Sequence, residues 1–483
     1  MVWALAFVAC RSAAPIASAP DPAAEGTAAR PSILFVVLDT VRADALGAYG
    51  NPLPVSPQFD QVAAAGTLYV DATAPASWTW PAHASLFTGL YPWEHGAHFA
   101  TSEAHALHPD GEKFAVSPMR TDVPTLAGQL SSAGYRTVCV TTNPLLAPAL
   151  GLVRGFESAT VFPEDKDTLK AALAAIADPD PRPLFLFVNF FGAHSPWNLT
   201  SAPWVKADEP LLSATPTPAW LRPFVETGYP FVHPYMQKGK QPSGGFQYMR
   251  GDLDIPPEGL AIFRDLYLGE VNLVDTALTF LIRGWNAAGH QHDLVAVTAD
   301  HGDLLGERRI IGHGRVLWPE VLHVPLALVW SGRIPGGVRV RTPVQNHWLY
   351  GTLLAAAGIH AADARQLPSS DADKTDGVIR AAEWRDAYWG KDIGGPFLKS
   401  YRYYRKNDDA VIVGVDEAGA EAVALYDVRA DPNFEHDRAL DAPQLAAQLA
   451  DDARASVPLT GRTDGVAVDP ATAAQLHALG YAQ

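Results

Sequence analysis

Three apolar segments rich in branched side chains, each followed at once by polar residues, restrict most strongly how this chain can fold. They read SILFVVL from Ser32, LFLFVNF from Leu184 and DLVAVTA from Asp293. A strand that is apolar along nearly its whole length is buried on both faces, as in a parallel sheet that helices cover on each side. The segments therefore predict strands of a mostly parallel sheet.

Polar residues follow each of these strands. Asp39 ends the first, His194 follows the second, and Asp300 and His301 follow the third, while a further run over residues 136–141 leads to Asn143. Open α/β sheets bind ligands just beyond the carboxyl ends of their strands. Several such ends together predict a functional site at that rim rather than ordinary turns.

Helical patterns alternate with the strands. One spans residues 57–65 between Ser56 and Gly66, a second covers 122–133, and a third covers 262–285. This alternation predicts an α/β fold with a doubly wound, mostly parallel sheet. Residues from about 200 to 258 break it with many Pro, Gly and aromatic residues, and we interpret them as an insertion that can cover the site.

The two ends of the chain differ from this middle part. Residues 373–483 predict a small C-terminal α+β subdomain with an antiparallel sheet, and residues 31–372 the larger domain. Residues 1–30 are interpreted as a leader and flexible linker, in which Phe7–Cys10 resembles a lipoprotein box that would lipidate Cys10. A short apolar terminus without that role stays open. The expected location is the periplasm or cell envelope, with a lipid anchor as the sole membrane contact.

Charge and cysteine content exclude several classes of protein. The 483 residues carry a formal charge of −16 and two cysteines, Cys10 and Cys139. An acidic chain does not favour a nucleic-acid partner, and two cysteines make neither a disulfide framework nor a four-cysteine zinc site. The oligomeric state is not predicted. An anionic substrate would need a local positive region on this acidic protein.

Thr79 is placed for two different roles. It lies just before Pro81, at the expected start of a helix that runs to Gly89. A helix N-terminus offers free N–H groups and a positive dipole end to an anion. A threonine there can cap the helix or attack a bound ester, and the local sequence leaves both roles open.

A series of short motifs extends along most of the chain. In chain order they are Asp39–Asp44 with Gly47–Gly50, Thr79–Gly89 with Leu90–Gly96, Asn189–Pro196, Thr298–Gly302, Gly312–Gly314 with Val324–Leu326, and Leu425–Asp427 with Ala430–Pro432. Each motif alone is common, but in their order and spacing they resemble the sulfatases and the wider alkaline-phosphatase superfamily.

The resemblance implies a single divalent metal ion, held by Asp39, Asp300 and His301 with the Thr79 hydroxyl beside it. These ligand types suit Ca, Mg, Mn or Zn and do not choose among them. A second acidic ligand that is common in sulfatases falls at Thr40. The metal preference is therefore open.

Position 79 departs from the sulfatase pattern. Sulfatases carry Cys or Ser in a Cys-x-Pro-x-Arg motif that is oxidised to formylglycine, whereas this chain has Thr79 and, four residues later, His83. Thr-x-Pro-x-His resembles the nucleotide pyrophosphatase/phosphodiesterase branch, in which threonine attacks phosphorus. That branch uses two metals, and its second site needs an acid where this chain has Phe190.

As a hypothesis, the metal acidifies the Thr79 hydroxyl, which attacks a sulfate or phosphate (di)ester and forms a covalent intermediate. His83 would stabilise the developing charge and His194 or His313 would protonate the leaving oxygen. Asn143, His194 and His313 are the predicted contacts to the substrate, a small-molecule or glycan anionic ester.

Two other functions stay open at this point. One is a phospho-group transferase at the cell envelope, and the other is a non-catalytic binder of sulfated or phosphorylated glycans. Arg42 and Arg315 lie close to these motifs in sequence and are interpreted as solvent-exposed.

Overall fold

The structure is a computed structural model. It describes residues 30–99, 106–107, 113–114, 116–198, 200–212, 217–225, 244–373, 375–385 and 398–459. The predicted leader and its lipidation site Cys10 lie outside these residues.

In chain order, the strands of the described residues are β1 (Ile33–Leu38), β2 (Thr67–Tyr69), β3 (Ala72–Thr73), β4 (Ala106–Leu107), β5 (Lys113–Phe114), β6 (Arg136–Thr141), β7 (Ser158–Val161), β8 (Leu184–Phe190), β9 (Leu294–Thr298), β10 (Leu304–Leu305), β11 (Ile311–Gly312), β12 (Leu326–Val329), β13 (Val338–Val340), β14 (Val344–Gln345), β15 (Val378–Glu383), β16 (Ser400–Lys406), β17 (Asp409–Val415) and β18 (Glu421–Asp427). Eight of them form the central sheet, in the spatial order β13-β2-β12-β9-β1-β8-β6-β7. Within the large sheet, β12 runs antiparallel to its neighbours β9 and β2, and the other pairs are parallel. The predicted doubly wound, mostly parallel class is confirmed.

The described residues contain twelve α-helices, several of which pack on one another. They are α1 (Pro57–Ala65), α2 (Thr79–Thr88), α3 (Pro92–His95), α4 (Leu126–Ser132), α5 (Asp165–Ala177), α6 (Pro203–Leu212), α7 (Arg222–Val225), α8 (Gly244–Arg250), α9 (Pro257–Ala287), α10 (Pro319–Leu322), α11 (Leu349–Ala356) and α12 (Pro443–Ser456). Helices α1, α5 and α6 pack on α9, whereas α2 and α4 pack on α11. None of the described helices is long and apolar enough to cross a membrane.

Two predicted helices differ in their limits. The second begins at Leu126 instead of residue 122, because the Thr125 side chain caps it by accepting a hydrogen bond from the Gly128 N–H. The third is longer than predicted and begins at Pro257, since proline is well suited to the first position of a helix. The described parts of residues 200–258 contain α6, α7 and α8.

The strand register brings the carboxyl ends of four strands to one rim. Strand β1 lies between β8 and β9, with Leu38 opposite Phe190 and Val37 opposite Thr298. Strand β6 pairs with the other side of β8, with Thr141 opposite Asn189. The residues that follow β1, β6, β8 and β9 therefore lie close together.

The C-terminal part contains a four-stranded antiparallel sheet in the order β15-β16-β17-β18, as the predicted small subdomain requires. One face packs on α12 through Val378, Val411 and neighbouring side chains. The other face packs on the segment 304–322 of the larger part through Ile379 and Ala381. Strand β15 was not predicted, because its sequence VIRAAE shows neither the continuous apolar run of a strand buried on both faces nor the alternation of a half-exposed one.

Candidate active site

Asp39 directly follows β1 and is completely buried. Its Oδ2 atom accepts hydrogen bonds from Asn143 Nδ2 (2.7 Å) and Asn189 Nδ2 (3.2 Å). Its Oδ1 atom has no hydrogen-bond partner among the described residues. Burial and, next, the charge of Asp300 raise the pKa of Asp39 well above its usual value. Because Asp39 and Asp300 are buried close together, a positive group between them would stabilise both carboxylates.

Asp300 lies two residues after β9 and is also completely buried. Its Oδ1 atom accepts from the backbone N–H groups of Thr40 (3.2 Å) and His301 (2.9 Å). Its Oδ2 atom lies 3.3 Å from His83 Nδ1 and 3.3 Å from His301 Nε2. Burial by itself would raise the pKa of Asp300, but the two histidines outweigh it and hold that pKa below its usual range.

The hydrogen bonds of His301 fix its tautomer. Its Nδ1 atom lies 2.8 Å from the carbonyl oxygen of Gly302, which can only accept, so Nδ1 carries the proton. The Nε2 lone pair then faces the Thr79 hydroxyl at 3.4 Å. Burial lowers the pKa of His301 to about 3 although Asp300 attracts the proton, so the ring is neutral at pH 7.

Thr79 is the first residue of α2 and is completely buried. Trp78 occupies the N-cap position and no side chain caps the helix. The Thr79 hydroxyl accepts a hydrogen bond from Asn143 Nδ2 (3.4 Å) and lies beside His301. Of the two roles left open by the sequence, the structure does not place this hydroxyl as a helix cap, and it faces the buried polar cluster.

Three residues could hold a cation. Asp39, His83 and Asp300 each offer one ligand atom, and these atoms lie within 4.8 Å of one another. Each residue also keeps one buried atom without a hydrogen-bond partner among the described residues, namely Asp39 Oδ1, His83 Nε2 and Asp300 Oδ2. Two carboxylates and one imidazole fit a divalent cation.

This set shares Asp39 and Asp300 with the ligands that the resemblance implied and contains His83 in addition, whereas His301 lies beside it with Nε2 3.3 Å from Asp300 Oδ2. His83 lies one helical turn after Thr79, so its ring points back toward the start of α2, with Nδ1 3.2 Å from the Thr79 carbonyl oxygen. The ligand role of His301 and the ester contact of His83 stay predictions. His301 and the Thr79 hydroxyl lie next to this set.

His194 and His313 approach the same site from two different loops. The His194 ring stacks on Phe191, and its centroid lies 4.8 Å from that of His313. The His313 ring in turn lies 4.4 Å from His301. Asp303 Oδ1 lies 3.2 Å from His313 Nδ1 and can accept a hydrogen bond from it. The structure thus brings the predicted histidines, Thr79 and Asn143 together at one rim.

Some residues near the site were misjudged or missed. Arg42 and Arg315 are buried rather than solvent-exposed, with 6% and 7% of their surface accessible. Arg42 pairs with Asp44 (2.8 Å) and Glu307 (2.7 Å), because a buried guanidinium needs carboxylate partners. Asn189 was missed as a donor to Asp39, although it is the one polar residue in the apolar run of β8.

Residues 31–359 match the family model described as sulfatase. The chain belongs to the sulfatase family. This membership confirms the resemblance found in the sequence, and it makes the chain an ester hydrolase of that family.

Individual relatives are distant but match over most of the chain. The chain is 24% identical to an uncharacterized sulfatase, YidJ, of Escherichia coli over 84% of this chain and 82% of that one. It is 23% identical to a Delta 4,5-hexuronate-2-O-sulfatase of Bacteroides thetaiotaomicron, with 87% of each chain covered. The phosphonate monoester hydrolase of Agrobacterium radiobacter has a TM-score of 0.66 at 19% identity, over 88% of this chain and 95% of that one. At this identity, the structural likeness shows the fold alone.

Proposed function

We propose that this sulfatase-family chain is a metal-dependent hydrolase of sulfate or phosphate esters, including diesters, with Thr79 as its nucleophile. One observation carries the proposal. The Thr79 hydroxyl is buried at the start of α2, between Asn143 Nδ2 and the unprotonated Nε2 of His301. A pure binding protein has no need for a hydroxyl aligned with a proton acceptor in this way.

Asp39, His83 and Asp300 would hold the divalent cation. When bound, it supplies the positive charge that polarises an ester oxygen and favours the deprotonated hydroxyl. Asn143 and Asn189 hold the Asp39 carboxylate in place through its Oδ2 atom, which leaves Oδ1 for other contacts.

Thr79 attacks the phosphorus or sulfur atom of the ester directly. The Thr79 hydroxyl can first donate a hydrogen bond to His301 Nε2. Its proton is then released to solvent, a bond forms from Oγ1 to the central atom, and the bond to the leaving oxygen breaks. His194 or His313, in its protonated form, gives a proton to that oxygen. Water then hydrolyses the threonine ester and regenerates the hydroxyl, so the reaction needs no formylglycine.

The substrate proposed for this site is an anionic ester, carried by a small molecule or a glycan. Two similar proteins support this choice. One relative is named as a hexuronate-2-O-sulfatase, and one similar solved structure contains a glucosamine disulfate described as its substrate. Neither name states which ester this chain hydrolyses.

The test is a panel of nitrophenyl esters, namely sulfate, phosphate monoester, phosphodiester and phosphonate, assayed with metal content measured on the same sample. We expect turnover of at least one ester, loss of that turnover in Thr79→Ala, and an intact mass that shows the transferred group on wild-type protein. Thr88→Ala is the matched control, since Thr88 is buried on the same helix, where its hydroxyl donates to the Ala84 carbonyl oxygen and accepts from the Leu90 N–H. Full activity of Thr79→Ala would refute the nucleophile, and metal binding without any turnover would favour a binding protein.

A further inference from the structure

The two residues before Thr79 are held by a carboxyl group of the C-terminal sheet. Glu383, the last residue of β15, has 1% of its surface accessible. Its Oε2 atom accepts a hydrogen bond from the Ser77 hydroxyl (2.5 Å) and its Oε1 atom accepts one from Trp78 Nε1 (3.1 Å). Both donors are themselves buried.

The strand geometry explains why Glu383 reaches this segment. Side chains at alternate positions of a strand point to the same face. Ile379 and Ala381 pack on the larger part of the protein, so Glu383, two positions further, points the same way. The backbone adds a third link, because the Ala382 N–H donates to the Pro75 carbonyl oxygen (3.2 Å).

The opposite side of this segment is held by the loop that carries His313. The Gly314 N–H donates to the Ser77 carbonyl oxygen (2.8 Å). The next residue, Arg315, is also buried; burial raises the pKa of Glu383 to about 8, and the positive charge of Arg315 only partly opposes that rise. Ser77 is therefore fixed between the C-terminal sheet and one of the loops that carry the site histidines.

Helix α2 depends on these outside contacts for the direction of its first turn. No side chain caps α2, and Trp78 closes the turn only through its carbonyl oxygen, which accepts from the Ala82 N–H at 3.3 Å. The backbone angles of Trp78 determine where the Thr79 hydroxyl lies relative to His301. Whatever fixes Ser77 and Trp78 also fixes the nucleophile.

We propose that Glu383 is a positioning residue that aligns Thr79 for attack, so that the C-terminal sheet completes the active site; this inference rests on the proposed function. Glu383 does not touch the substrate. It acts through the Ser77 hydroxyl and the Trp78 ring nitrogen. A displacement of about 1 Å at a reacting atom can lower a rate by about 100-fold.

Three variants test this role kinetically. Glu383→Ala should lower kcat by about 100-fold and change KM by less than about twofold, because the substrate contacts remain. Glu383→Gln should restore most of kcat, since its amide oxygen can accept from Trp78 Nε1 and its amide nitrogen can donate to the Ser77 hydroxyl. The matched control is Asp275→Ala, which removes another buried carboxyl group that accepts from two backbone N–H groups at the start of α1.

Asp275→Ala should lower the midpoint of urea unfolding and leave kcat unchanged. The positioning role is overturned if Glu383→Ala behaves like this control. It is also overturned if Glu383→Gln is as slow as Glu383→Ala. If Glu383→Ala does not fold, Ser77→Ala replaces it, because this variant removes the hydrogen bond from the Ser77 hydroxyl to Glu383. Ser77→Ala should then lower kcat in the same way, and an unchanged kcat overturns the proposal.

Crystal structures separate this inference from the proposed function. The Thr79 Oγ1 to His301 Nε2 distance, 3.4 Å here, should increase by about 1 Å in Glu383→Ala and stay unchanged in Asp275→Ala. If the wild-type protein hydrolyses none of the esters, that displacement still supports the positioning role while the proposed function fails. An unchanged distance overturns the positioning role whatever the ester panel shows.

Discussion

Asn143 links the candidate cation ligands to the candidate nucleophile. Its Nδ2 atom donates to Asp39 Oδ2 at 2.7 Å and approaches Thr79 Oγ1 at 3.4 Å. Asn143→Ala removes both contacts and leaves Asp39 Oδ2 with the longer bond from Asn189, at 3.2 Å. We expect this variant to bind divalent cations more weakly and to hydrolyse esters more slowly.

The size of the effect follows from the shorter contact. A hydrogen bond to a charged group contributes about 1.5–3 kcal/mol, and the contact to Thr79 is too long to add much. This range corresponds to about a 10- to 150-fold loss of affinity at 1.36 kcal/mol per factor of ten. Removal of a group that hydrogen-bonds a metal ligand usually lowers metal affinity or activity by about 10- to 100-fold, which agrees with this range.

The assay is calorimetric titration of chelator-treated protein with Mg²⁺, Ca²⁺, Mn²⁺ and Zn²⁺, with kcat/KM measured alongside. Asn272→Ala is the control, because it removes hydrogen bonds from an amide Nδ2 to the carbonyl oxygens of Val55 (2.8 Å) and Pro54 (3.5 Å). Asn143 Oδ1 also accepts from the Leu145 N–H, so the unfolding midpoint of each variant is measured too. Cation affinity of Asn143→Ala within twofold of wild type would refute the reasoning.

Two further predictions use the same protein. Divalent cations at one hundred times Kd should stabilise chelator-treated protein by about 2.7 kcal/mol and so raise its unfolding temperature. His83→Ala should abolish most of this increase, which differential scanning calorimetry of both proteins measures. Burial raises the pKa of Asp275 from 3.8 to about 7, so over that interval the folded chain keeps a proton that the unfolded chain has lost. The free energy of unfolding should therefore fall as pH rises from 4 to 7, and Asp275→Asn should flatten that slope in urea titrations; an equal slope in both proteins would contradict the assignment.

The strand ends were predictable because their signal is local. A run of apolar residues that stops at Asp39 or Asp300 marks both a buried strand and the rim where its polar residue lies. The limits of β6 and β8 agree with the predicted ones, since both are bounded by residues that clearly differ from the run itself. Thr79 was predictable as a helix start from Pro81 and Gly89.

Pairings between distant segments could not be predicted. The sequence places Arg42 near polar motifs, but its partner Glu307 lies far along the chain, so nothing local showed that the guanidinium is neutralised and buried. Glu383 is similar, because β15 gave no alternating pattern and its contact with Ser77 depends on how two sheets pack. For His83, helical spacing relative to Thr79 was visible, and its closeness to Asp300 depended on the tertiary fold.

Only some of the charged groups at the candidate active site can attract an anionic ester to this acidic protein. Arg42 does not supply free positive charge, because it is paired with Asp44 and Glu307. His301 is neutral because burial lowers its pKa to about 3, so it cannot contribute either.

Besides a protonated His194 or His313, the described part of the site offers two further sources of positive charge. One is the start of α2, where N–H groups are free of side-chain caps. The other is a cation bound by Asp39, His83 and Asp300. Because the two carboxylates balance a divalent ion, the filled site is close to neutral rather than strongly positive, and the site without that ion repels anions. Substrate binding should therefore depend on prior cation binding, and singly charged esters should be accommodated more readily than doubly charged ones.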